Sequence, residues 1–110
     1  MNDAKLPKDS PDYIRWLIDT RDDAVERAVL AIFSRQEPDE QAHGTTHKSN
    51  GVGFSSFDAP HATRFAKWIK SGNQLSGWHL DKARKMMRKY VRQLAEIASA
   101  RIERESIQSE

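Results

Sequence analysis

Asp22-Asp23-Ala24-Val25-Glu26-Arg27-Ala28-Val29-Leu30-Ala31-Ile32-Phe33 is the stretch that decides the fold class. Ala24, Val25, Ala28, Val29, Ile32 and Phe33 return at steps of three and four residues. That spacing gathers them on one face of an α-helix and leaves Glu26, Arg27 and Arg35 for solvent. A half-buried strand needs strict alternation, which is missing here. The carboxylates at the start suit the positive end of a helix dipole. Thr20 stands three residues before Asp23, the spacing of a capping residue, so a break near Thr20 is expected. One longer helix from Pro11 to Arg35 is the open alternative.

Upstream, Ser10-Pro11 marks another helix start, because the serine hydroxyl accepts a free amide proton and proline suits the first turn. That helix would carry Tyr13, Ile14, Leu17 and Ile18. Downstream, Pro38 ends the quoted helix. Asp58 is placed to cap a third helix with Pro60 in its first turn and Ala62, Phe65, Ala66 and Ile69 facing inward, and Gly72 to end it. Ser76 is the cap expected for the longest helix, in which Leu80, Ala83, Met87, Tyr90, Val91, Leu94, Ala98 and Ile102 keep the period for about six turns. Residues 42–58 differ in kind, being rich in Gly, Thr and Ser around Asn50-Gly51, a tight-turn pair. The expected fold is all-α: three to four helices with a Gly-rich loop or short β-hairpin inserted before the last two. Residues 1–9 read as a flexible tail, 10–104 as a single helical domain and 105–110 as a frayed C-terminus.

Composition bounds the function classes. The chain has 110 residues, 37% hydrophobic and 31% charged, which suffices for one core and not two. The longest apolar run, Ala28 to Phe33, falls far short of the ~20 residues that span a bilayer. No signal-peptide pattern is visible at the N-terminus, and a cytoplasmic protein without membrane contact is expected. The absence of cysteine removes disulfides, thiol nucleophiles and thiolate metal sites.

The net charge of +2 conceals a polarity. Residues 1–40 hold six basic and ten acidic side chains, whereas residues 59–95 hold nine basic ones against Asp81 alone. Such a field steers partners of opposite charge. Lys82, Lys85, Lys89 and Arg92 fall on one stripe of the last helix, with Arg84 and Arg88 on its other flank. Arg64, Lys67 and Lys70 repeat the three-residue step on the helix before. If the two helices pack as a hairpin, these rows meet in a groove that follows phosphates, with Trp68, Trp78, His79 and Tyr90 beside it to stack on bases. The segment Phe65–Met86 also has the order of a helix-turn-helix, although its second helix is long for a recognition helix. The competing reading is a solvated helix face neutralised by the chain's own acidic helices.

A second candidate surface is the irregular segment, where Asn50, Gly51, Phe54 and Phe57 offer exposed backbone and aromatic anchors to a protein partner. Against this, both phenylalanines could fold inward as a lid on the core. Metal and catalytic chemistry find little footing. His43 and His47 are separated by Gly44-Thr45-Thr46, which opposes a helix, and His61 and His79 complete no zinc pattern. Asn50-Gly51-Val52-Gly53 lacks the Lys-Ser/Thr ending of a phosphate loop. Ser55 and Ser56 near His47 or His61 have no spacing that marks a nucleophile and its base. No enzyme activity, cofactor or metal is expected.

Several of these stretches together resemble a small domain of phages, prophages and mobile elements. They are Asp23-Ala24-Val25-Glu26-Arg27-Ala28, Arg35-Gln36 with Asp39-Glu40-Gln41, Asn50-Gly51-Val52-Gly53-Phe54, Asp58-Ala59, and Lys85 through Tyr90 to Gln93-Leu94. The resemblance runs from about Asp22 to Ala98, with departures at Phe57 and Trp78. It implies a protein that stands alone or beside helicase-like, DNA-processing proteins. The function expected is a non-enzymatic nucleic-acid-binding accessory protein, single- or double-stranded target unresolved. The alternative is an interaction module that meets an acidic protein surface and inhibits a host DNA-processing or defence complex. A homo-oligomer joined acidic half to basic half is a third option.

Overall fold

A computed structural model describes residues 7–36 and 53–108. Asn50, Gly51, His43 and His47 lie outside the described residues, as does the body of the expected Gly-rich loop or hairpin. The described residues form helices α1 (Pro11–Thr20), α2 (Asp22–Phe33), α3 (Ala59–Lys70), α4 (Gly77–Met87) and α5 (Val91–Gln108). A single 3₁₀ turn, Arg88–Tyr90, joins the last two. The all-α expectation holds.

The order follows from local chemistry. Ser10 Oγ accepts the Tyr13 amide at 3.2 Å and Pro11 opens α1, as the sequence predicts. The break before α2 is also present, but Thr20 is not its cap. Its hydroxyl turns back to donate to the Trp16 carbonyl (2.7 Å), and Arg21, in extended conformation, leads into α2 instead. All six residues of the α2 stripe are buried. Five of them, all but Ala24, make one core with Ile18, Phe54, Phe65, Leu75, Met87, Tyr90 and Leu94. α2 packs against all four other helices, so its apolar face organises the domain.

Two further expectations are corrected by the fold. Asp58 precedes α3 yet makes no capping hydrogen bond with its side chain. The carboxylate is buried instead beneath the Arg88–Tyr90 turn, where Tyr90 and Lys89 hold it. The predicted six-turn helix is interrupted at Arg88–Tyr90, because a 3₁₀ turn advances about 120° per residue against 100° for an α-helix. Three such residues swing everything beyond by about 60°, so Arg92 leaves the stripe of Lys82 and Lys85, while Lys89, inside the turn, is drawn to Asp58. The helix then continues to Gln108, past the expected frayed end.

Residues 53–58 are held to the domain by a dense set of polar contacts. The Phe54 amide donates to Gln36 Oε1 (2.8 Å), while Gln93 receives the Gly53 amide and donates to its carbonyl, both at 3.0 Å. Gly53 has φ +81°, and a β-carbon there would stand 1.8 Å from Gln36 Oε1, so only glycine fits. Phe54, expected as a partner anchor, is 1% exposed and packs edge-on against Tyr90. Its role is corrected to core. Phe57 stays outside, 86% exposed, with the Lys89 ammonium 6.0 Å from its ring centre. No helix among the described residues is long and apolar enough to cross a membrane.

Candidate functional site: the aromatic cleft between α3 and α4

α3 ends through its own backbone. Gly72, at φ +94°, reverses the chain, and the Trp68 carbonyl receives both the Asn73 amide (3.3 Å) and Asn73 Nδ2 (3.2 Å). The Trp68 indole N–H donates to the Gln74 carbonyl at 3.3 Å, so the turn is wrapped around that side chain. The Leu75 amide reaches across to Glu26 Oε2 on α2 (2.6 Å), which ties the turn to the domain's central helix. These bonds fix the angle at which α4 leaves.

Between the helices lies a cleft of about 390 Å³. Its lining includes buried Phe65 and Leu75, with exposed Trp68 and Trp78 alongside. His61 and Arg64 border it from α3, His79 from α4, and Gln74 and Ser76 from the turn. Trp68 is 54% and Trp78 65% exposed, unusual for such large apolar rings. Lys82 Nζ lies 4.9 Å from the centre of Trp78 and His79 meets that ring edge-on at 5.2 Å, so the indole is braced while much of it remains open. Among the described residues, no group of three or more histidine, aspartate or glutamate side chains converges as a metal site.

The predicted cations divide into two sets. One is engaged by the chain's own groups. Arg84 donates to the Ile18 carbonyl (2.8 Å) and pairs with Asp22, and Arg88 Nε pairs with Asp19 at 2.7 Å. Lys89 bonds both oxygens of buried Asp58, at 3.0 and 2.8 Å. Lys70 lies over the Phe33 ring, 5.4 Å from its centre. The expected rows therefore do not join into one uninterrupted groove. The second set faces solvent: Arg64, Lys85 and Arg92 are exposed, with Lys82 partly covered. Tyr90 is removed from the stacking candidates, because it is buried and its hydroxyl donates to Asp58 (2.7 Å) while receiving the Ser55 amide (2.9 Å). Burial, foremost, pushes its phenol above the ordinary tyrosine value, and the Asp58 contact adds to that against opposing hydrogen bonds from Ser55.

Of the predicted site residues, the fold brings Arg64, Trp68 and Trp78 together in one cleft, with Lys82 beside them. Sequence reasoning did not assign His61, Phe65, Gln74 and Ser76 to it. A signal existed for two of these: His61, Arg64, Phe65 and Trp68 have the i, i+3, i+4, i+7 spacing of one helical face. Gln74 and Ser76 enter only through the turn. No family model, curated protein or solved structure matches the chain, so its function rests on this geometry.

Proposed function

We propose that this protein is a non-enzymatic nucleic-acid-binding accessory protein, acting in the cytoplasm and of the phage or mobile-element type that the sequence resembles. The observation that carries the reading is the uneven pairing of its charges. Asp19, Asp22, Asp23 and Asp58 are all in ion pairs with the chain's own arginines or lysine, and Glu26 accepts the Leu75 amide. Four of the five carboxylates of α1 and α2 are thus engaged within the chain, while Arg64, Lys85 and Arg92 are exposed. A surface with excess cations and few competing carboxylates suits a polyanion, whose binding gains from counterion release.

A second reading, a module that inhibits a host DNA-processing or defence complex by docking on protein, draws on Phe57. A ring 86% exposed at the head of α3, beside Lys89, has the form of an anchor for an acidic, partly apolar surface.

Fluorescence anisotropy with labelled oligonucleotides at about 50 and 200 mM salt tests the first reading. Affinity should fall steeply across that range. The Lys85→Glu/Arg92→Glu double variant should bind more weakly and show a salt slope shallower by about 1 for each phosphate it no longer neutralises. No binding at the lower salt would overturn the reading and turn attention to Phe57.

A further inference from the structure

We propose that the α3–α4 cleft receives an unpaired nucleobase, so that the protein prefers single strands to duplex. The inference rests on the nucleic-acid reading above and adds the form of the target. Within a duplex, base faces are covered by their neighbours and only edges and phosphates are presented. An indole has nothing to stack on there without unstacking the helix. In a single strand every base offers a flat face, which aromatic side chains take irrespective of sequence.

Three features of the cleft match that partner. First, its size, about 390 Å³, lies within the range of small-ligand pockets, roughly 300–1,000 Å³, and is continuous with open surface, so one base can enter while its strand remains outside. Second, Trp68 and Trp78 are held in place yet open. Trp68 is tethered through the Gln74 carbonyl, and Trp78 is braced by Lys82 and His79. A base stacks on either indole at small cost in side-chain ordering, because that ordering is already present. Third, His61, His79, the Gln74 amide and the Ser76 hydroxyl bring donors and acceptors to an otherwise aromatic cleft. Those groups suit the hydrogen-bonding edge of a base, an edge that duplex pairing conceals.

Charge selects a strand over other flat ligands. On α3 and α4, Arg64 and Lys85 are exposed and Lys82 is half-buried, and Asp81 is the one acid in residues 59–87. Arg64 lines the cleft and Lys82 stands at Trp78. A base held between these helices therefore has cations within reach of the phosphates on either side of it.

The test compares a labelled oligothymidylate of about 16 nucleotides with a duplex of equal length and with thymidine monophosphate, for the wild type and for Trp68→Ala and Trp78→Ala. The wild type should bind the single strand more tightly than the duplex. At least one tryptophan variant should lose about 5- to 150-fold for the single strand, the effect of one stacked base, while its duplex affinity is unchanged. The Trp→Phe variants should recover part of the loss, and far-UV circular dichroism of Trp78→Ala should match the wild type, whereas Trp68→Ala also loses the hydrogen bond to Gln74 that helps hold the turn. Equal affinity for the two forms, or equal losses on both, would overturn the cleft inference while leaving nucleic-acid binding intact. Monophosphate binding as tight as that of the strand would overturn it in favour of a free-nucleotide site. No binding of any of these ligands would overturn both.

Discussion

Replacing Lys89 by methionine separates cations that hold the fold together from cations that face a partner. The substitution keeps the length of the side chain and removes the ammonium. Asp58, whose side chain is only 4% exposed, then loses two hydrogen bonds, at 2.8 and 3.0 Å, and keeps the one from Tyr90 at 2.7 Å. Uncovering one member of a fully buried pair costs about 3–5 kcal/mol, whereas breaking an exposed pair costs about 0–1 kcal/mol. Lys89 itself is 56% exposed, so its charge is partly screened and the loss falls between those limits, at about 2 kcal/mol. For a domain of this size that lowers Tm by roughly 8–16 °C. Lys85→Met, on an exposed side chain, should stay within about 0.5 kcal/mol of the wild type. Urea titrations followed by far-UV circular dichroism give both values. Combining Lys89→Met with Asp58→Asn should recover part of the loss, since the unpaired charge is then gone. If Lys89→Met matched Lys85→Met in stability and showed no coupling to Asp58→Asn, the division of the cations would be refuted.

The same cluster predicts a response to alkali. The Tyr90 phenol is raised above its ordinary 10.0, so above that pH the unfolded chain ionises it first and the folded state loses stability. The stability advantage of the wild type over Tyr90→Phe, read from urea midpoints at about pH 9 and 11, should narrow as pH rises; a constant gap would contradict the assignment. Gly53→Ala should destabilise by at least about 1–3 kcal/mol from backbone strain alone, with the collision at Gln36 added. Gly53→Asn, which tolerates positive φ, should be scarcely better, and a near-neutral asparagine in urea titration would show that the Gln36 contact is not limiting. Light scattering after size exclusion should give a monomer at low and high salt, because Asp19, Asp22 and Asp23, which would join a second copy, already pair within the chain. A dimer that dissociates as salt rises would show that enough acidic charge remains exposed for self-association.

How much of the fold is legible in the sequence depends on how far each signal extends along the chain. The α2 stripe and the Ser10-Pro11 start are legible because their partners lie within one or two turns. Thr20 and Asp58 have the right residue type at the right spacing for caps, but such residues have several local uses, and other partners decide between them. Asp58 is claimed by Tyr90 and Lys89, more than thirty positions away. Phe54 and Phe57 are indistinguishable by sequence. The Gln36 and Gln93 contacts that draw the backbone at Gly53 and Phe54 inward come from the end of α2 and from α5. Trp68 and Trp78 can be nominated as rings beside a basic helix, yet their shared cleft depends on the turn that Gly72, Asn73 and Leu75 fasten in place.

The polarity of charge changes meaning most between sequence and structure. As a string, residues 1–40 and 59–95 look like two poles of a field, equally available to partners. In the fold, the poles face one another across the contacts that α4 and the 3₁₀ turn make with α1 and α2, and they cancel selectively. Arg84 uses its planar group to bond the Ile18 carbonyl and Asp22 together, a two-partner grip that a lysine does not provide. Arg88 reaches Asp19 from the next turn. Asp19, Asp22 and Glu26 therefore help to dock the later elements, and their charge is partly neutralised in doing so. Exposed cations remain on α3 and α4 at Arg64 and Lys85, beside two open indoles. A uniform salt-bridged face would have left neither the excess charge nor the exposed rings, and it is the coincidence of both at one cleft that favours a single-stranded polyanion over a generally attractive surface.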